Sequence, residues 1–293
     1  MNLLVFGLPL WNLSCSTTDS PKSSENWSHG LCNQDTVPTL TAPTMQCSQF
    51  KCTIEGGEFL MGSCRHNLTV YPQRVVTLDT FSIDQYEVSI LEWKDCMNNG
   101  PCSAPATKCD LEHGEHGNGH PITCIDWLQA QEYCEWRGGN LPTEAQWEKA
   151  ARGTDGRTYP WGNQSPQCQN DNAMFFQTGE GASTARCVLS TVEAQSDSSL
   201  SPYGVGHMAG NVYEWILDDY DARYYQRSET ENPIGPEDGC YLWQEGWKDD
   251  CIYKVIRGGA YNTFQDRSTT FARSFSKPEV RDRNIGFRCV YPE

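Results

Sequence analysis

After residue 47, hydrophobic residues occur in short runs that are separated by turn residues. Two of these runs, Glu58–Met61 and Arg74–Leu78, end at a glycine or an aspartate. Short apolar runs that end in turn residues predict β-strands. The sequence therefore predicts strands soon after residue 47.

Two helices are predicted from capping boxes. Ser89–Glu92 has the Ser-x-x-Glu form, in which the two side chains bond to free backbone N–H groups at the start of a helix. That helix must end at Gly100, which a proline follows. Thr143–Gln146 is a second box, and its helix is predicted to run to about Ala151 with Trp147 facing inward.

Another helix lies between these two and begins just after Asp126. Trp127, Ala130 and Cys134 recur at spacings of three and four, so they share one buried face. After Arg152 the chain shows no long helical period, and its short segments are interrupted by Gly, Pro, Asn and Asp. This texture predicts an irregular, loop-rich α+β domain that disulfides hold together.

The first 46 residues differ in composition from the rest. Residues 1–15 are apolar from Leu3 to Leu13, a run too short to cross a bilayer as a helix, and are interpreted as a secretory signal. The segment Asn12–Cys15 resembles a bacterial lipobox and makes Cys15 a candidate for lipidation; a cleaved or truncated signal and a frayed N-terminus are the alternatives. Residues 16–46, rich in Ser, Thr, Pro and Asn, predict a flexible tether.

Charge and cysteine content narrow the class of protein. The 293 residues include 22 Lys and Arg against 38 Asp and Glu, a formal net charge of −16. A protein this acidic repels phosphate groups, so no nucleic-acid partner is expected, and membrane contact is expected only through the lipid anchor. Fifteen cysteines argue against a reducing cytosol. The chain is predicted to be extracytoplasmic: secreted, periplasmic or a membrane-anchored lipoprotein.

Eight short sequence motifs, or phrases, occur in order along the chain. They are Gly56–Ser63, Gln85–Ser89, His120–Ile122, Leu141–Glu148, Tyr159–Gly162, Ala209–Trp215, Arg257–Tyr261 and Asn284–Arg288. In this order and spacing they closely resemble the formylglycine-generating enzyme, or sulfatase-modifying-factor, domain family. The resemblance covers about Thr53 to Tyr291 and implies a C-type-lectin-like fold, here assigned to residues 47–293.

The resemblance also implies where the chemistry of the family would lie. In its active members two cysteines, five residues apart, follow the Gly-Gly phrase, bind copper and activate oxygen to convert a sulfatase cysteine into formylglycine. Counting from Gly258 and Gly259 places Thr263 and Ser268 at these positions, and no cysteine occurs at residues 252–288. Because a hydroxyl is a poor ligand for Cu(I), neither copper nor the oxidase reaction is expected.

Four residues are candidates to line a groove for a ligand. Arg273 corresponds by its spacing from a later proline to a groove arginine of the family, and Tyr213 replaces a family tryptophan. Tyr261 and Asn284 belong to two of the family phrases. For Arg273 and Tyr213 a structural role, through side-chain bonds to the backbone, is the alternative.

Family resemblance further implies calcium bound by oxygen atoms. One site would use Gly210, Val212 and Glu214, although His207 stands where the family has an acidic or amide ligand. The alternative for Glu214 is a buried carboxylate with hydrogen-bond donors around it. A second site would begin at Asn172 and the carbonyl of Ala173.

A histidine-rich loop is the other candidate metal site. His113, His116 and His120 stand on a glycine-rich segment and could converge on zinc, copper, nickel or iron. The alternative is that His120 belongs to the His-Pro phrase of the family and the other two to an inserted surface loop.

The resemblance implies one long-range disulfide, between Cys134 and Cys289. Proximity in sequence suggests four local bonds, Cys96–Cys102, Cys109–Cys124, Cys168–Cys187 and Cys240–Cys251. Four further cysteines, Cys32, Cys47, Cys52 and Cys64, allow three connectivities that the sequence does not separate.

Taken together, these features predict a member of the family without the oxidase centre that acts as a binding or envelope-structural module. Its partner would be a protein, a peptide or a glycan. Two alternatives remain: an enzyme of the same fold with non-haem iron or another metal, and a lectin-like recognition protein.

Overall fold

The computed structural model describes residues 32, 40, 43–64, 68–106, 117–166, 190–195, 200–237, 240–242 and 246–293. The predicted signal segment 1–15, with Cys15, and nearly all of the tether 16–46 lie outside these residues. Among the described residues, no helix has the length and apolar character needed to cross a membrane.

The three longer helices begin where the sequence predicts. Helix α1 is Ile90–Asn99, α2 is Trp127–Trp136 and α3 is Glu144–Arg152, and a fourth, α4, is the single turn Tyr224–Arg227. The three residues that precede α1, α2 and α3 each accept a bond from a backbone N–H in the first turn and complete a capping box: Ser89, Asp126 and Thr143. Both predicted boxes are therefore confirmed.

Twelve named strands form four sheets in the described part of the chain. They are β1 Cys47–Ser48, β2 Lys51–Ile54, β3 Gly57–Met61, β4 Arg74–Leu78, β5 Phe81–Asp84, β6 Tyr213–Asp219, β7 Cys240–Leu242, β8 Gly246–Lys248, β9 Lys254–Arg257, β10 Ser274–Ser276, β11 Ile285–Gly286 and β12 Val290–Pro292. The hairpin β3–β4 corresponds to the two predicted strands.

Two four-stranded sheets determine the architecture. The first has the order β1-β2-β5-β12 and pairs the start of the described domain with its C-terminal strand. The second has the order β10-β9-β6-β11, in which β6 and β11 are parallel and β9 is antiparallel to β6. The fold is α+β, as predicted, and the second sheet positions the candidate site.

Two apolar clusters form the core. One packs α3, through Trp147 and Ala151, against the β3–β4 hairpin and Ile216 of β6. The other packs Trp93 of α1 and Tyr133 of α2 together, with their rings stacked 5.7 Å apart. The inward faces predicted for α2 and α3 are found at Cys134 and Trp147, both fully buried.

Five disulfides lie among the described residues. Cys134–Cys289, the pair that the resemblance implied, joins α2 to the segment before β12, and Cys96–Cys102 and Cys240–Cys251 are local. The four cysteines that the sequence left open pair as Cys32–Cys64 and Cys47–Cys52. Cys124 is also disulfide-bonded. Cys109, Cys168 and Cys187 lie outside the described residues, so their pairings stay predictions.

Candidate functional site

The loop from Gly258 to Ser268 follows β9 and occupies the family's catalytic position. Gly258 and Gly259 have φ values of 92° and 73°, which L-residues with a side chain rarely adopt. The carbonyl of Gly258 accepts a bond from the N–H of Gly210 at 2.8 Å. A Cβ at Gly259 would collide with Oγ of Ser268, so the chain turns here only because the second residue is glycine as well.

Thr263 and Ser268 make bonds that belong to the loop itself. The hydroxyl of Thr263 donates to the carbonyl of Ala260 and accepts a bond from the N–H of Ala260, both at 2.9 Å. Ser268 is fully buried, and among the described residues its Oγ has no hydrogen-bond partner. Two hydroxyls, one bonded to its own turn and one enclosed, do not fit a copper ion that requires two thiolates.

Three of the four predicted groove residues come together beside this loop. The backbone N–H of Tyr213 donates to the carbonyl of Asn284 at 2.8 Å, and the N–H of Tyr261 donates to the carbonyl of Asn211 at 2.9 Å. The side chain of Asn284 bonds to that of Asn262, which is exposed. Tyr213 is 9% and Tyr261 8% exposed, so little of either residue reaches solvent. Asn262 was not predicted, although it directly follows Tyr261.

Arg273 does not line the predicted groove; it has the structural role that was the alternative. Its guanidinium is buried and pairs with both carboxylate oxygens of Glu144, at 2.7 and 2.8 Å. It also donates to the carbonyls of Thr69 and Asp221. Burial alone would lower the pKa of Arg273, but the Glu144 carboxylate outweighs that effect and raises it. All these bonds hold Arg273 inside the fold, so it is not available to a ligand.

Glu214 of the predicted calcium site is held by an arginine. Both of its oxygens accept bonds from Arg288 at 2.7 Å, and one also accepts from Nε1 of Trp147 at 2.8 Å. The carboxylate is therefore buried and neutralised, and Gly210 and Val212 lie in the backbone beside it. The described residues of this site do not fit a calcium ion. Asn172 and Ala173 lie outside the described residues, so calcium there stays a prediction.

The histidine loop is only partly described. Nδ1 of His120 lies 2.9 Å from the hydroxyl of Thr191. His113 and His116 lie outside the described residues. Among the residues that are described, no group of three or more His, Cys, Asp or Glu side chains could hold a metal ion.

One acidic residue close to this site was missed by the sequence reasoning. Glu87 is 2% exposed and accepts a bond from the side chain of Asn211 at 2.9 Å. Because Asn211 also bonds to Tyr261, it connects Glu87 to the Gly258–Ser268 loop. Burial raises the pKa of Glu87 to about 8 against the lowering effect of Arg288, and Glu214 adds to the rise. The only signal for Glu87 was its place in one of the family phrases.

The fold and this loop define a protein of the C-type-lectin-like, sulfatase-modifying-factor class. The family model described as "Sulfatase-modifying factor enzyme 1-like domain" matches residues 39–292, and the chain belongs to this family.

Similar proteins carry several different names. The formylglycine-generating enzyme of Streptomyces coelicolor is 35% identical over 182 residues, 58% of this chain and 52% of that protein. The mouse enzyme, from Mus musculus, is 28% identical over 271 residues, 75% of this chain and 68% of that protein. The serine/threonine-protein kinase pkn1 of Chlamydia pneumoniae is 30% identical over 258 residues, 81% of this chain but only 37% of that protein. The chain thus spans about a third to two thirds of these relatives.

Solved structures agree with this fold. PvdO from Pseudomonas aeruginosa superposes with a TM-score of 0.64 at 20% identity and covers 86% of this chain and 99% of its own. Treponema denticola variable protein 1 has a TM-score of 0.62 at 21% identity and covers 83% of this chain and 95% of its own. At these identities the likeness shows the fold alone.

Proposed function

We propose that this protein is an extracytoplasmic member of the sulfatase-modifying-factor family that lacks the copper oxidase reaction and acts as a binding or envelope-structural module. The observation that carries the proposal is the state of Thr263 and Ser268. Oxygen activation by this family uses a pair of thiolates, and these two residues offer one hydroxyl bonded to its own turn and one enclosed hydroxyl.

Two further observations support the proposal. A protein of Bos taurus named "Inactive C-alpha-formylglycine-generating enzyme 2" is 32% identical over 180 residues, 58% of this chain and 50% of that protein. The family thus contains a member whose name describes it as inactive. The disulfides among the described residues favour an oxidising compartment, since cytosolic thiols are kept reduced.

The family resemblance implies a ligand groove beside the Gly258–Ser268 loop, and the residues at that position suggest how it would hold a partner. Asn262 and Asn284 offer amide donors and acceptors beside Tyr213 and Tyr261. Amide groups of this kind bond to the backbone of a peptide or to the hydroxyls of a glycan. The net charge of −16 disfavours polyanionic partners and favours neutral or basic ones.

The oxidase part of the proposal is tested with purified protein, copper, oxygen and a peptide that carries the sulfatase cysteine motif. We expect no formylglycine by mass spectrometry, and turnover by the unaltered chain would overturn the proposal. The matched variant is the double substitution Thr263→Cys with Ser268→Cys. It should gain stoichiometric Cu(I) binding that neither single substitution shows, because only the pair supplies two thiolates.

The binding part of the proposal is tested on arrays of peptides and glycans with the wild-type chain and Asn262→Ala. Asn262 is exposed, so its loss should leave folding intact and weaken any ligand held in the groove. The control is Asn98→Ala at another exposed asparagine, in α1. A ligand that binds both variants equally well does not use this groove.

A further inference from the structure

One of the five described disulfides differs from the others in its exposure. Cys64 is exposed and Cys32 is half-buried, so neither cysteine of this pair lies in the core. Each of the other four pairs contains at least one cysteine that is fully buried: Cys52, Cys96, Cys134, Cys240 and Cys289. Because a reductant must reach a sulfur atom to attack it, the Cys32–Cys64 bond is the most accessible of the five.

The two sulfurs of this bond have different surroundings. The backbone N–H of Gln73, the residue before β4, points to Sγ of Cys32, with 3.4 Å between nitrogen and sulfur. A hydrogen-bond donor at this place stabilises the negative charge of a thiolate, and a stabilised thiolate leaves faster in thiol–disulfide exchange. The exposed Cys64 is therefore suited to be attacked, and Cys32 is suited to leave.

Carbonyl oxygens lie near the sulfurs of two other disulfides. Sγ of Cys47 lies 3.2 Å from the carbonyl oxygen of Tyr203, and Sγ of Cys134 lies 4.0 Å from that of Arg288. A thiolate formed at either sulfur would face the negative end of a carbonyl dipole, which disfavours it. These two bonds are thus less suited to exchange on electrostatic grounds as well as by burial.

The connection between β3 and β4, which carries Cys64, has other bonds that hold it in place. The N–H of Gly62 donates to Oε1 of Glu148 at 2.7 Å. The N–H of Ser63 donates to the carbonyl of Val70 at 2.8 Å. Opening the disulfide leaves these bonds intact, so the connection should keep its conformation.

Cys32, in contrast, belongs to the predicted tether, which the disulfide attaches covalently to the domain. The next described backbone hydrogen bond along the chain is at Gln46, whose carbonyl accepts from the N–H of Thr53 at 2.9 Å. Fourteen positions separate Cys32 from Gln46. An extended chain spans about 3.5 Å per residue, so once the bond is open Cys32 can lie up to about 50 Å from Gln46.

We propose that the Cys32–Cys64 disulfide is a site of thiol–disulfide exchange, which a dithiol reductant opens while the domain stays folded and which then releases the tether. A thiolate of the reductant attacks Sγ of Cys64, the S–S bond breaks, and Cys32 leaves as a thiolate that takes up a proton. The second thiol of the reductant attacks the mixed disulfide, so that Cys64 is reduced and the reductant becomes a disulfide. Two electrons and two protons pass from the dithiol to the protein. The site is independent of the Gly258–Ser268 loop and of the binding function proposed for it.

Graded reduction followed by alkylation tests the order in which the bonds open. The full chain is treated with dithiothreitol under native conditions, free thiols are trapped with N-ethylmaleimide, and peptide mass spectrometry quantifies each cysteine. We expect Cys32 and Cys64 to be alkylated together, at least about tenfold faster than the buried control pair Cys134 and Cys289. If any of the other four described bonds opens before Cys32–Cys64 or at the same rate, the proposal is overturned.

A monothiol shows which sulfur is attacked. Brief treatment with glutathione and an acid quench should leave the glutathionyl group on Cys64 and the free thiol on Cys32; the reverse pattern contradicts the proposed step. Sγ of Cys64 lies 3.9 Å from Oε1 of Gln73, so Gln73→Glu places a negative charge beside it and should slow attack by a thiolate at least about threefold. Gln73→Ala is the neutral control, and equal rates in the two variants would exclude attack at Cys64.

Hydrogen exchange tests whether reduction releases the tether alone. After selective reduction the N–H of Gln73 loses its sulfur acceptor and should exchange faster, whereas the amides of β5, β6 and β9 should not change. The double substitution Cys32→Ser with Cys64→Ser should reproduce this pattern without any reductant, so the result does not depend on the other disulfides. Faster exchange throughout the sheets would show that the bond holds the domain together, which is the outcome that the proposal forbids.

Discussion

Five buried side chains, Glu144, Glu148, Arg152, Arg257 and Arg273, form an ion-pair network that meets the loop from Gly258 to Ser268 at Arg257. The network and the loop differ in how completely their polar groups are hydrogen-bonded. In the network every carboxylate oxygen of Glu144 and Glu148 accepts a hydrogen bond from a neighbour. Arg257 and Arg152 both bond to Glu148, at 2.7 and 2.9 Å. The carboxylates inside the scaffold are thus fully hydrogen-bonded, although Nε of Arg257 has no partner among the described residues.

The loop that follows this network contributes little to that bonding. The hydroxyl of Thr263 bonds only within its own turn, and the Oγ of Ser268 is buried without a described partner. Stability and the family's chemistry are therefore assigned to different residues. The scaffold can therefore stay intact while residues 263 and 268 change. The predictions below test whether stability depends on the network and not on these two residues.

The largest effect is expected at the centre of the network. Glu148→Gln removes the charge that Arg152 and Arg257 share; among the described residues Arg152 then has no carboxylate partner, and Arg257 keeps only Glu144. Breaking a buried pair in this way costs about 3–5 kcal/mol of unfolding free energy. Urea unfolding measures it, and Glu132→Gln at an exposed position of α2 is the control. A loss below about 1 kcal/mol would mean that the network does not hold the scaffold.

The next effect is a dependence of stability on pH. Asp218 accepts a bond from the N–H of Glu144 at 2.9 Å, and burial, with the charge of Glu144, raises its pKa to about 8. A raised acid pKa means that the folded state binds more protons than the unfolded one. Unfolding free energy should therefore fall as pH rises from about 4 to 8, by up to about 1.4 kcal/mol per pH unit.

Two variants test whether Asp218 causes this pH dependence of stability, and the titration of Lys149 limits the pH range of the measurement. Asp218→Asn should flatten the slope measured by urea unfolding, and Glu87→Gln should flatten it further, since both groups act with the same sign. Above pH 8 the sign reverses at Lys149, whose pKa burial lowers to about 8. If Asp218→Asn leaves the slope unchanged, Asp218 does not carry it.

The smallest effects are expected in the loop, and they have opposite signs. Ser268→Ala removes a buried hydroxyl without a described partner and should raise the unfolding free energy by about 1 kcal/mol. Thr263→Ala removes two bonds to Ala260 and should lower it by about 1 kcal/mol. Thermal unfolding measures both. A clear loss of stability in Ser268→Ala would show that the position still contributes to the scaffold.

Much of the fold could be predicted because its signals are local. The capping boxes at Ser89 and Thr143 depend on residues three positions apart, and both were confirmed. The pair Cys134–Cys289 is separated by 155 positions and was reached only through the family resemblance. The strand order within the sheets depends on pairings between distant segments, which periodicity does not encode.

The candidate site was harder to predict for the same physical reason. The spacing of Arg273 from a proline gave its place in the chain but not its partner Glu144, which lies 129 positions earlier. Glu87 was missed because its environment depends on Asn211, 124 positions away. Contacts of this kind decide whether a charge is exposed to a ligand or buried in the fold, and a single sequence does not contain them.

The strand order β1-β2-β5-β12 bears on whether the domain can be circularly permuted. The side chain of Glu293 bonds to Ser82 of β5 and reaches Thr53 of β2, so β12 lies about two strand spacings, or about 10 Å, from β2 and about three, or about 14 Å, from β1. A short linker could join residue 293 to residue 43 and allow new termini to be opened elsewhere. A circular permutant cut at the exposed turn near Gly138 should keep all four sheets, and any cargo fused there would be displayed at that turn instead of beside Glu293.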